Sequence, residues 1–382
     1  MGNGFWLAVG QMCQLCFWTV RYLPAGHWKH LPRRALAFGL AIPVYLFFQC
    51  LHWLGFALDE ILFRNYRKVD IQQPVFVTGI PRSGTTHLQR VLARHEQLTS
   101  MQTWECFFAP SISERYFYSA IGAIFKPAGR LFSHVNIPFL EKMRSVHKLG
   151  LNEAEEDFIA LMPVNACFLL VVLFPEVKHY WALTGFDQQV SESRKATILR
   201  FYRRIIQKHL YFHGTDRRYL CKNPSFLSWV GSLSAEFEDA RFVVCEREVD
   251  ATLPSQISSL RPAWQLVYGE DLSAAFSERI IQMMAGYYHY LDSHLVNHPS
   301  VMLMPMHSLV QDLQGSVAVV LSHCKVALSD QFAGCLEEEA ARAKSYRSSH
   351  KYNRSGVNTM AHAFAMFPKH YVGRFYKREV AK

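Results

Sequence analysis

The chain has 382 residues, of which 50% are hydrophobic and 19% are charged. This composition excludes an intrinsically disordered protein, and the length suits one α/β domain with an N-terminal addition. The net charge of +10 predicts anionic partners; because no nucleic-acid-binding motif is evident, we expect a charged small molecule and anionic lipid headgroups, not nucleic acid.

Two apolar, aromatic-rich runs open the chain, at residues 5–22 and 35–63. The second run is long enough to cross a bilayer, but Pro43 interrupts it. Cations lie on both sides of it, namely Arg21, Lys29, Arg33, Arg34, Arg64, Arg67 and Lys68. This pattern favours a hairpin or an interfacial segment that returns to the cytoplasmic face over a single span. The alternative is a buried helical pair packed on the core.

Nine cysteines are scattered along the chain. Cys13 and Cys16 have metal-ligand spacing, but no second pair or histidine partner lies in range, so we predict no metal site. The odd count and the lack of a secretory cleavage pattern predict reduced thiols in a cytoplasmic setting.

The segment VFVTGIPRSGTTHL, residues 75–88, predicts a strand, a glycine-bracketed loop and the start of a helix. Its glycines have the spacing of a nucleotide-binding P-loop, but Thr85 stands where a nucleoside triphosphatase has its lysine. Backbone N–H groups at a helix start, hydroxyl groups and a single arginine suit a compact anion. The residues we expect around that anion are Gly79, Arg82, Ser83, Gly84, Thr85, Thr86 and His87.

Other interpretations of this loop remain open. It is a tight turn if the glycines serve backbone geometry only and the threonines cap the helix. A kinase or nucleoside triphosphatase would need magnesium and the P-loop lysine, and Thr85 weighs against it.

The order of strand, Pro-Arg-Ser-Gly-Thr-Thr and helix resembles the sulfotransferases. The resemblance implies that the loop holds the 5′-phosphosulfate of 3′-phosphoadenosine-5′-phosphosulfate, the sulfuryl donor, and that 3′-phosphoadenosine-5′-phosphate is the spent form. The resemblance covers approximately residues 59–357. Within the family, the chain is similar to the bacterial-type group.

Four acidic side chains, at positions 153, 155, 156 and 157, lie at the start of an apolar helical pattern. Acidic residues favour a helix N-terminus, so ordinary helix-start chemistry is one explanation. Similar sulfotransferases have an acidic cluster here, which implies a base for the acceptor's proton. We predict Glu156 as that base and Glu155 as the second candidate. Phe158 departs from the family pattern.

Lys222 follows a predicted strand at residues 219–221, in a run that resembles the family's Lys-Asn-Pro segment. The resemblance implies that Lys222 offsets negative charge on the bridging oxygen as the sulfuryl group leaves. Phe226 replaces the family's histidine, so we do not expect a histidine base there.

Arg247 follows the apolar strand predicted at residues 241–245, where ligands of open α/β sheets bind. Ser255 comes eight residues later. Both match the residues that sulfotransferases use for the donor's 3′-phosphate. Alternatively, Arg247 pairs with neighbouring acids on a solvated turn.

The segment SYRSSHKYNRSGV, residues 345–357, follows an acidic helix and resembles the family's C-terminal donor loop. We predict donor contacts from Lys351 and Tyr352, with added charge from Arg354. A solvated basic stretch is the alternative.

Predicted strands at residues 75–79, 219–221, 241–245 and 301–304 alternate with helical patterns, which indicates a mainly parallel sheet. We therefore predict a P-loop-like three-layer α/β sandwich, with a membrane-associating helical segment at residues 1–68 and a catalytic domain at residues 69–382.

The expected reaction is in-line sulfuryl transfer without a metal, to a hydroxyl or amine of a lipid-like or sterol-like acceptor. The aromatic-rich section at residues 104–139 and the apolar run at residues 168–174 either line the acceptor site or belong to the core. We expect the protein on the cytoplasmic face of the cell membrane. A degenerate kinase and a membrane-anchored scaffold without activity are the alternatives.

Overall fold

A computed structural model describes residues 2–23, 28–125, 153–345 and 361–372. The strands are β1 Val75–Gly79, β2 Leu98–Thr99, β3 Arg218–Lys222, β4 Arg241–Glu246 and β5 Val301–Pro305. The helices are α1 Gly2–Tyr22, α2 Leu31–Leu62, α3 Thr85–Leu92, α4 Thr103–Phe108, α5 Ile112–Phe125, α6 Leu170–Leu173, α7 Lys178–Trp181, α8 Phe186–Gln189, α9 Glu192–His213, α10 Val230–Glu236, α11 Val249–Tyr268, α12 Ala274–Tyr290, α13 Met306–Gln311, α14 Leu313–His323, α15 Asp330–Ser345 and α16 Ala361–Phe364. Short 3₁₀ turns include Arg64–Lys68, Asp157–Val164 and Pro224–Trp229.

The strands form one parallel sheet in the order β2-β3-β1-β4-β5. This confirms the predicted α/β class and the four predicted strands, each within one residue at either end. Strand β2 was not predicted because two residues are too few to show a periodic pattern.

Side chains of the central strand alternate between two cores. Val75 and Val77 pack with Leu88 of α3 and with α14 and α15, whereas Phe76 packs on the opposite face with α9 and α11. Because helices cover both faces of the sheet, the strands read as nearly continuous apolar runs. The arrangement is the predicted three-layer sandwich.

Helices α1 and α2 share the core on the Phe76 side. Leu15 of α1 and Phe38, Ile42 and Phe56 of α2 are buried in it. Within the described residues, α2 is the single helix long and apolar enough to cross a bilayer, yet only 22% of its most apolar stretch is buried. The domain boundary after residue 68 remains a prediction.

Two local expectations differ from the structure. The acidic run from Glu153 to Glu156 is extended and pairs with residue 102, and a 3₁₀ turn, not an α-helix, follows it. Pro163 within that turn favours the tighter, shorter element, because a proline cannot donate to an α-helical ladder. The threonines of the glycine loop do not cap α3, whose N-cap is Gly84 without a side-chain hydrogen bond.

Candidate functional site

The site lies at the carboxyl edge of the sheet, where β1, β3 and β4 end side by side. Glycines allow the chain to leave β1 here. Gly79 has φ of +138° and packs so closely on the Cys245 backbone that a Cβ atom would overlap it. Gly84 has φ of +93° and lies against the Met306 side chain. Both conformations suit glycine, and they bring the loop backbone to the start of α3.

The start of α3 has the features of an anion-binding helix N-terminus. No side chain caps it at Gly84, and Thr85 and Thr86 are its first two residues. A helix N-terminus with N–H groups that no side chain caps attracts negative charge. Its third residue is His87, and burial lowers the pKa of this side chain.

Two arginines meet at the loop. Arg82 has φ of +71°, an uncommon value for a residue with a side chain, and its Nε donates to the Ser255 hydroxyl at 3.0 Å. The Arg247 guanidinium donates to the Arg82 carbonyl oxygen at 3.3 Å. The structure thus brings together Arg82, Arg247 and Ser255, although Arg82 and Ser255 are 173 positions apart in the chain. A concentration of two cations and a hydroxyl suits a phosphate group.

The Ser83 hydroxyl does not face the predicted anion site; it is bound to the neighbouring strand β4. The Ser83 side chain is fully buried, and its hydroxyl donates to the Cys245 carbonyl oxygen at 3.0 Å. The hydroxyl therefore fixes the loop to β4, and sequence reasoning had assigned it to the anion only.

Lys222 and Glu156 form an ion pair at the same sheet edge, with Nζ 2.5 Å from Oε1. The lysine side chain is 3% exposed and the glutamate side chain 28%. The pair follows from the register of the sheet, because Lys222 is opposite Val77 in β1, two residues before the loop. The pair places one cation and one carboxylate side by side at the edge where β1, β3 and β4 end.

The extended acidic segment is held from both sides. The Glu155 amide donates to the Met101 carbonyl at 3.0 Å, and the Gln89 side chain of α3 donates to the Glu155 carbonyl at 3.3 Å. The Glu155 carboxylate accepts from the Thr103 hydroxyl at 3.3 Å and from the Glu156 amide at 3.0 Å. Glu155 is therefore already engaged, whereas the Glu156 carboxylate faces Lys222.

Asp157 anchors the end of that segment, a role that sequence reasoning missed. It is 1% exposed and accepts hydrogen bonds from the hydroxyls of Tyr202 and Tyr219 and from the Cys221 thiol. Burial raises the pKa of Asp157, and the hydroxyl donors act in the opposite direction. The sequence signal for this role is that Asp157, the last of the four acids, directly precedes an apolar stretch, which indicates that its side chain is buried.

Phe226, which stands in place of the family's histidine, lies in the core. It is 1% exposed and its ring lies against Tyr202 and Trp229. The side chain next to Lys222 in the chain is Asn223, which is fully buried, and its Nδ2 has no hydrogen-bond partner among the described residues. A buried amide donor without a partner suits an acceptor oxygen. With Arg82, Arg247 and Lys222 at the same sheet edge, the residues present fit a phosphosulfate.

Lys351, Tyr352 and Arg354 lie outside the described residues. The helix that precedes them is confirmed and extends from Asp330 to Ser345. It is fixed to the turn after α3 by Arg94, whose guanidinium pairs with Glu339 at 2.6 Å.

A second cluster of polar side chains lies apart from this edge. Glu105, His209 and His213 place three potential metal-ligand atoms within 4.8 Å of one another. The Arg115 guanidinium lies 3.2 Å from the same carboxylate. Burial would raise the pKa of Glu105, but Arg115 and His209 outweigh burial and hold it well below its usual range. Because Arg115 already balances the carboxylate, we assign the cluster a structural role.

Comparison with known proteins gives a consistent result. The sequence profile described as "Sulfotransferase family" matches residues 74–127 and 172–330, more than half of the chain. No protein with a curated function matches the sequence.

Two solved structures have a similar fold. Sulfotransferase STF9 from Mycobacterium avium has a TM-score of 0.66 at 14% identity, over 91% of this chain and 88% of that chain. Sulfotransferase STF1 from Mycobacterium tuberculosis H37Rv has a TM-score of 0.54 at 20% identity, over 82% of this chain and 81% of that chain. With the family match and the sheet-edge cluster of Arg82, Arg247 and Lys222, these findings show that the chain is an enzyme of the sulfotransferase family.

Proposed function

We propose that the protein transfers a sulfuryl group from 3′-phosphoadenosine-5′-phosphosulfate to a hydroxyl or amine of an amphiphilic acceptor. The observation that carries this proposal is the grouping of two anion-binding elements and one ion pair at a single sheet edge. Arg82 contacts both Ser255 and Arg247 on one side of β1, and Lys222 contacts Glu156 on the other. The donor has two anionic ends, which suit the two anion-binding elements: the start of α3 with Arg82, and Arg247 with Ser255.

Each group has a chemical role in the proposal. The amides at the start of α3 and Arg82 hold the 5′ end of the donor, and Arg247 with Ser255 holds its 3′-phosphate. When bound, the donor supplies the sulfuryl group. The Lys222 ammonium offsets negative charge beside the reacting centre, and it is desolvated, so its electrostatic effect is strong there. Glu156 Oε1 takes the acceptor's proton as the acceptor attacks.

Family membership favours this function over the alternatives considered from the sequence. A kinase would need a lysine where Thr85 stands. A scaffold without activity would not require a buried Lys222 in an ion pair with the partly exposed carboxylate of Glu156.

The acceptor class and the location are parts of the same proposal. Helix α2 is apolar and mostly unburied, which supports attachment to a membrane. The cytoplasmic face of that membrane is part of the proposal. An acceptor that is itself amphiphilic would be available to an enzyme in that position. Lipid alcohols and amines are therefore the first class to test.

The donor is tested by calorimetric titration with 3′-phosphoadenosine-5′-phosphate and, separately, with ATP and magnesium. We expect micromolar binding of the bisphosphate and no comparable binding of ATP. Arg247→Ala should weaken bisphosphate binding at least tenfold, because it removes one charge-assisted contact to phosphate.

Arg261→Ala is the matched control. Arg261 lies on the same helix as Ser255 and pairs with Asp271 on the surface, so its loss changes the net charge equally. Equal weakening by both variants would indicate a general charge effect and would contradict the assigned site. Preference for ATP over the bisphosphate would overturn the proposed donor.

A further inference from the structure

The outward face of α2 is apolar from Ala35 to Leu58. Every exposed residue from Ala35 to Leu58 is apolar, namely Ala35, Leu36, Gly39, Leu40, Ala41, Pro43, Val44, Phe47, Cys50, Leu54, Ala57 and Leu58. Several are highly exposed, with Leu36 at 72%, Leu40 at 67% and Phe47 at 60%. Contiguous apolar surface of this extent is rare on soluble monomers and marks an interaction surface.

The inward face of α2 includes buried polar side chains as well as core residues, and two of these polar side chains are bound to the catalytic part of the chain. His52 Nδ1 is 2.6 Å from a Glu114 carboxylate oxygen, and the Asp59 carboxylate accepts from Lys208 Nζ at 2.7 Å. If α2 crossed a bilayer, these partners would enter the hydrocarbon or lose their counter-charges, and both outcomes are costly. The helix therefore runs along the domain, in a direction that keeps the domain outside the hydrocarbon.

The apolar surface continues onto the catalytic part of the chain. Phe107 and Phe108 of α4 are 40% and 38% exposed, and Tyr116 and Phe117 of α5 are 49% and 60% exposed. The Phe108 ring lies 5.4 Å from Phe48 of α2, and the Tyr116 ring stacks on Phe63 at 5.4 Å. A helix that spans a membrane has no need of exposed aromatic residues on the neighbouring domain.

Positive charge brackets this surface. Among residues 29–68, all exposed charged side chains are basic, namely Lys29, Arg33, Arg64, Arg67 and Lys68. They stand at the two ends of α2, with the apolar stretch between them. Cations at the borders of an apolar stripe complement anionic lipid headgroups.

We propose that the protein lies on an anionic lipid bilayer, with α2 parallel to the membrane plane. The lipid-docking face consists of the exposed apolar residues of α2 together with Phe107, Phe108, Tyr116 and Phe117. The apolar side chains enter the headgroup–acyl boundary and the flanking cations contact anionic headgroups. This inference is independent of the sulfuryl donor, because it rests on α2, α4 and α5 alone.

Co-sedimentation of the full chain with vesicles tests the docking face. We expect binding to vesicles that contain phosphatidylglycerol and weaker binding to pure phosphatidylcholine. The double variants Leu40→Glu with Phe47→Glu and Phe107→Glu with Phe117→Glu should each lower binding at least tenfold. Val310→Glu with Val319→Glu is the control, since both valines are exposed, at 70% and 57%, on other helices. All six substitutions are on exposed side chains, and thermal unfolding of each variant checks that the fold is kept.

Loss of binding in the α2 variant alone would overturn the parallel arrangement, because a spanning helix does not use α4 and α5. Equal loss in the valine control would overturn the docking face as the cause. Concentration-dependent self-association without vesicle binding would also overturn the proposal and would assign the surface to a second copy of the chain.

Cys50 offers a second measurement that needs no charged substitution. It is exposed near the middle of α2. With Cys13 and Cys16 changed to serine, a polarity-sensitive fluorophore on Cys50 should shift to the blue on vesicle addition. Quenchers attached near the lipid headgroup should reduce its emission more than quenchers at the acyl chain end. Stronger quenching from the chain end would place the middle of α2 at the bilayer centre and would overturn the parallel arrangement.

Discussion

Glu156 and Glu155 are neighbours in the chain with different partners. Glu156→Gln should lower the rate of sulfuryl transfer by about 10²–10⁴-fold, because it removes the proton acceptor. Binding of 3′-phosphoadenosine-5′-phosphate should be kept, since Lys222 retains its charge. Steady-state kinetics with a radiolabelled donor, together with calorimetry, separates the two effects.

Glu155→Gln is the control for that variant. Its carboxylate is already occupied by the Thr103 hydroxyl and the Glu156 amide, so we expect less than a tenfold loss of rate. A loss as large as that of Glu156→Gln would contradict the assignment of the base.

His209 makes stability depend on pH. Burial lowers its pKa to about 4, although Glu105 acts in the opposite direction. Between about pH 6.5 and pH 4 the unfolded chain binds the proton that the folded chain does not, so stability falls as pH falls through this range, by at most about 1.4 kcal/mol per pH unit. His209→Gln should flatten this slope in denaturant unfolding.

His294→Gln, at an exposed position, is the matched variant and should leave the slope as it is. Burial also lowers the pKa of His179 to about 4, so the wild-type slope has more than one source and the comparison is between variants. An unchanged slope in His209→Gln would show that its protonation does not oppose folding.

At the scale of single residues, the sequence predicted those site positions that have a fixed place relative to a strand end. Lys222 ends β3, Arg82 and Arg247 follow β1 and β4, and the register of a parallel sheet brings strand ends together. It could not predict that Asp157 anchors its segment, or that Glu105 and His213, 108 positions apart, would meet. Such contacts depend on tertiary packing, which leaves no local pattern.

At the scale of elements, the turn from β1 into α3 depends on two glycines with different surroundings. A Cβ atom at Gly79 would overlap the Cys245 backbone, which cannot move without breaking the pairing of β1 with β4. At Gly84 it would meet the flexible end of Met306, so mainly the left-handed φ is penalised. Gly79→Ala should therefore cost more than about 2 kcal/mol of unfolding free energy, and Gly84→Ala about 1 kcal/mol.

Chemical denaturation of both variants measures this difference. Equal costs would show that the close packing on β4 does not limit the turn. Calorimetry on Gly84→Ala adds a functional readout, because an altered helix start should also weaken binding of the bisphosphate.

Elements were predicted well where apolar residues form a continuous run. The four strands and both N-terminal helices fall in this class. The segment after Glu156 was predicted as a helix start from its acids and its apolar residues, and Pro163 together with the pairing to residue 102 made it an extended stretch and a 3₁₀ turn. A two-residue strand and a tight turn both lack the repeats that periodicity requires.

At the scale of the whole molecule, one buried ion pair joins three helices. Asp59 of α2 accepts from Lys208 of α9 and also from the amides of Ile112 and Ser113 at the start of α5. Asp59→Asn leaves the Lys208 ammonium buried without a counter-charge, which should cost about 3–5 kcal/mol. Denaturant unfolding of the full chain measures this cost.

Asp271→Asn makes the same substitution in a surface ion pair, with Arg261 as the cation, and should change stability by less than about 1 kcal/mol. If the two variants cost the same, the Asp59 pair would not hold the N-terminal helices to the catalytic part of the chain.

The N-terminal helices also hold the segment that carries Glu156. The Tyr45 hydroxyl of α2 donates to the Met162 carbonyl at 3.0 Å, and the Asn165 side chain donates to the Gln11 carbonyl of α1 at 3.2 Å. The carboxylate that we propose as the proton acceptor is thus built on the same support as the helix that we propose to face the lipid. For an acceptor dissolved in the bilayer, turnover should then follow surface-dilution kinetics. Its rate would depend on the acceptor's mole fraction among the lipids, and adding inert lipid at constant acceptor would slow it.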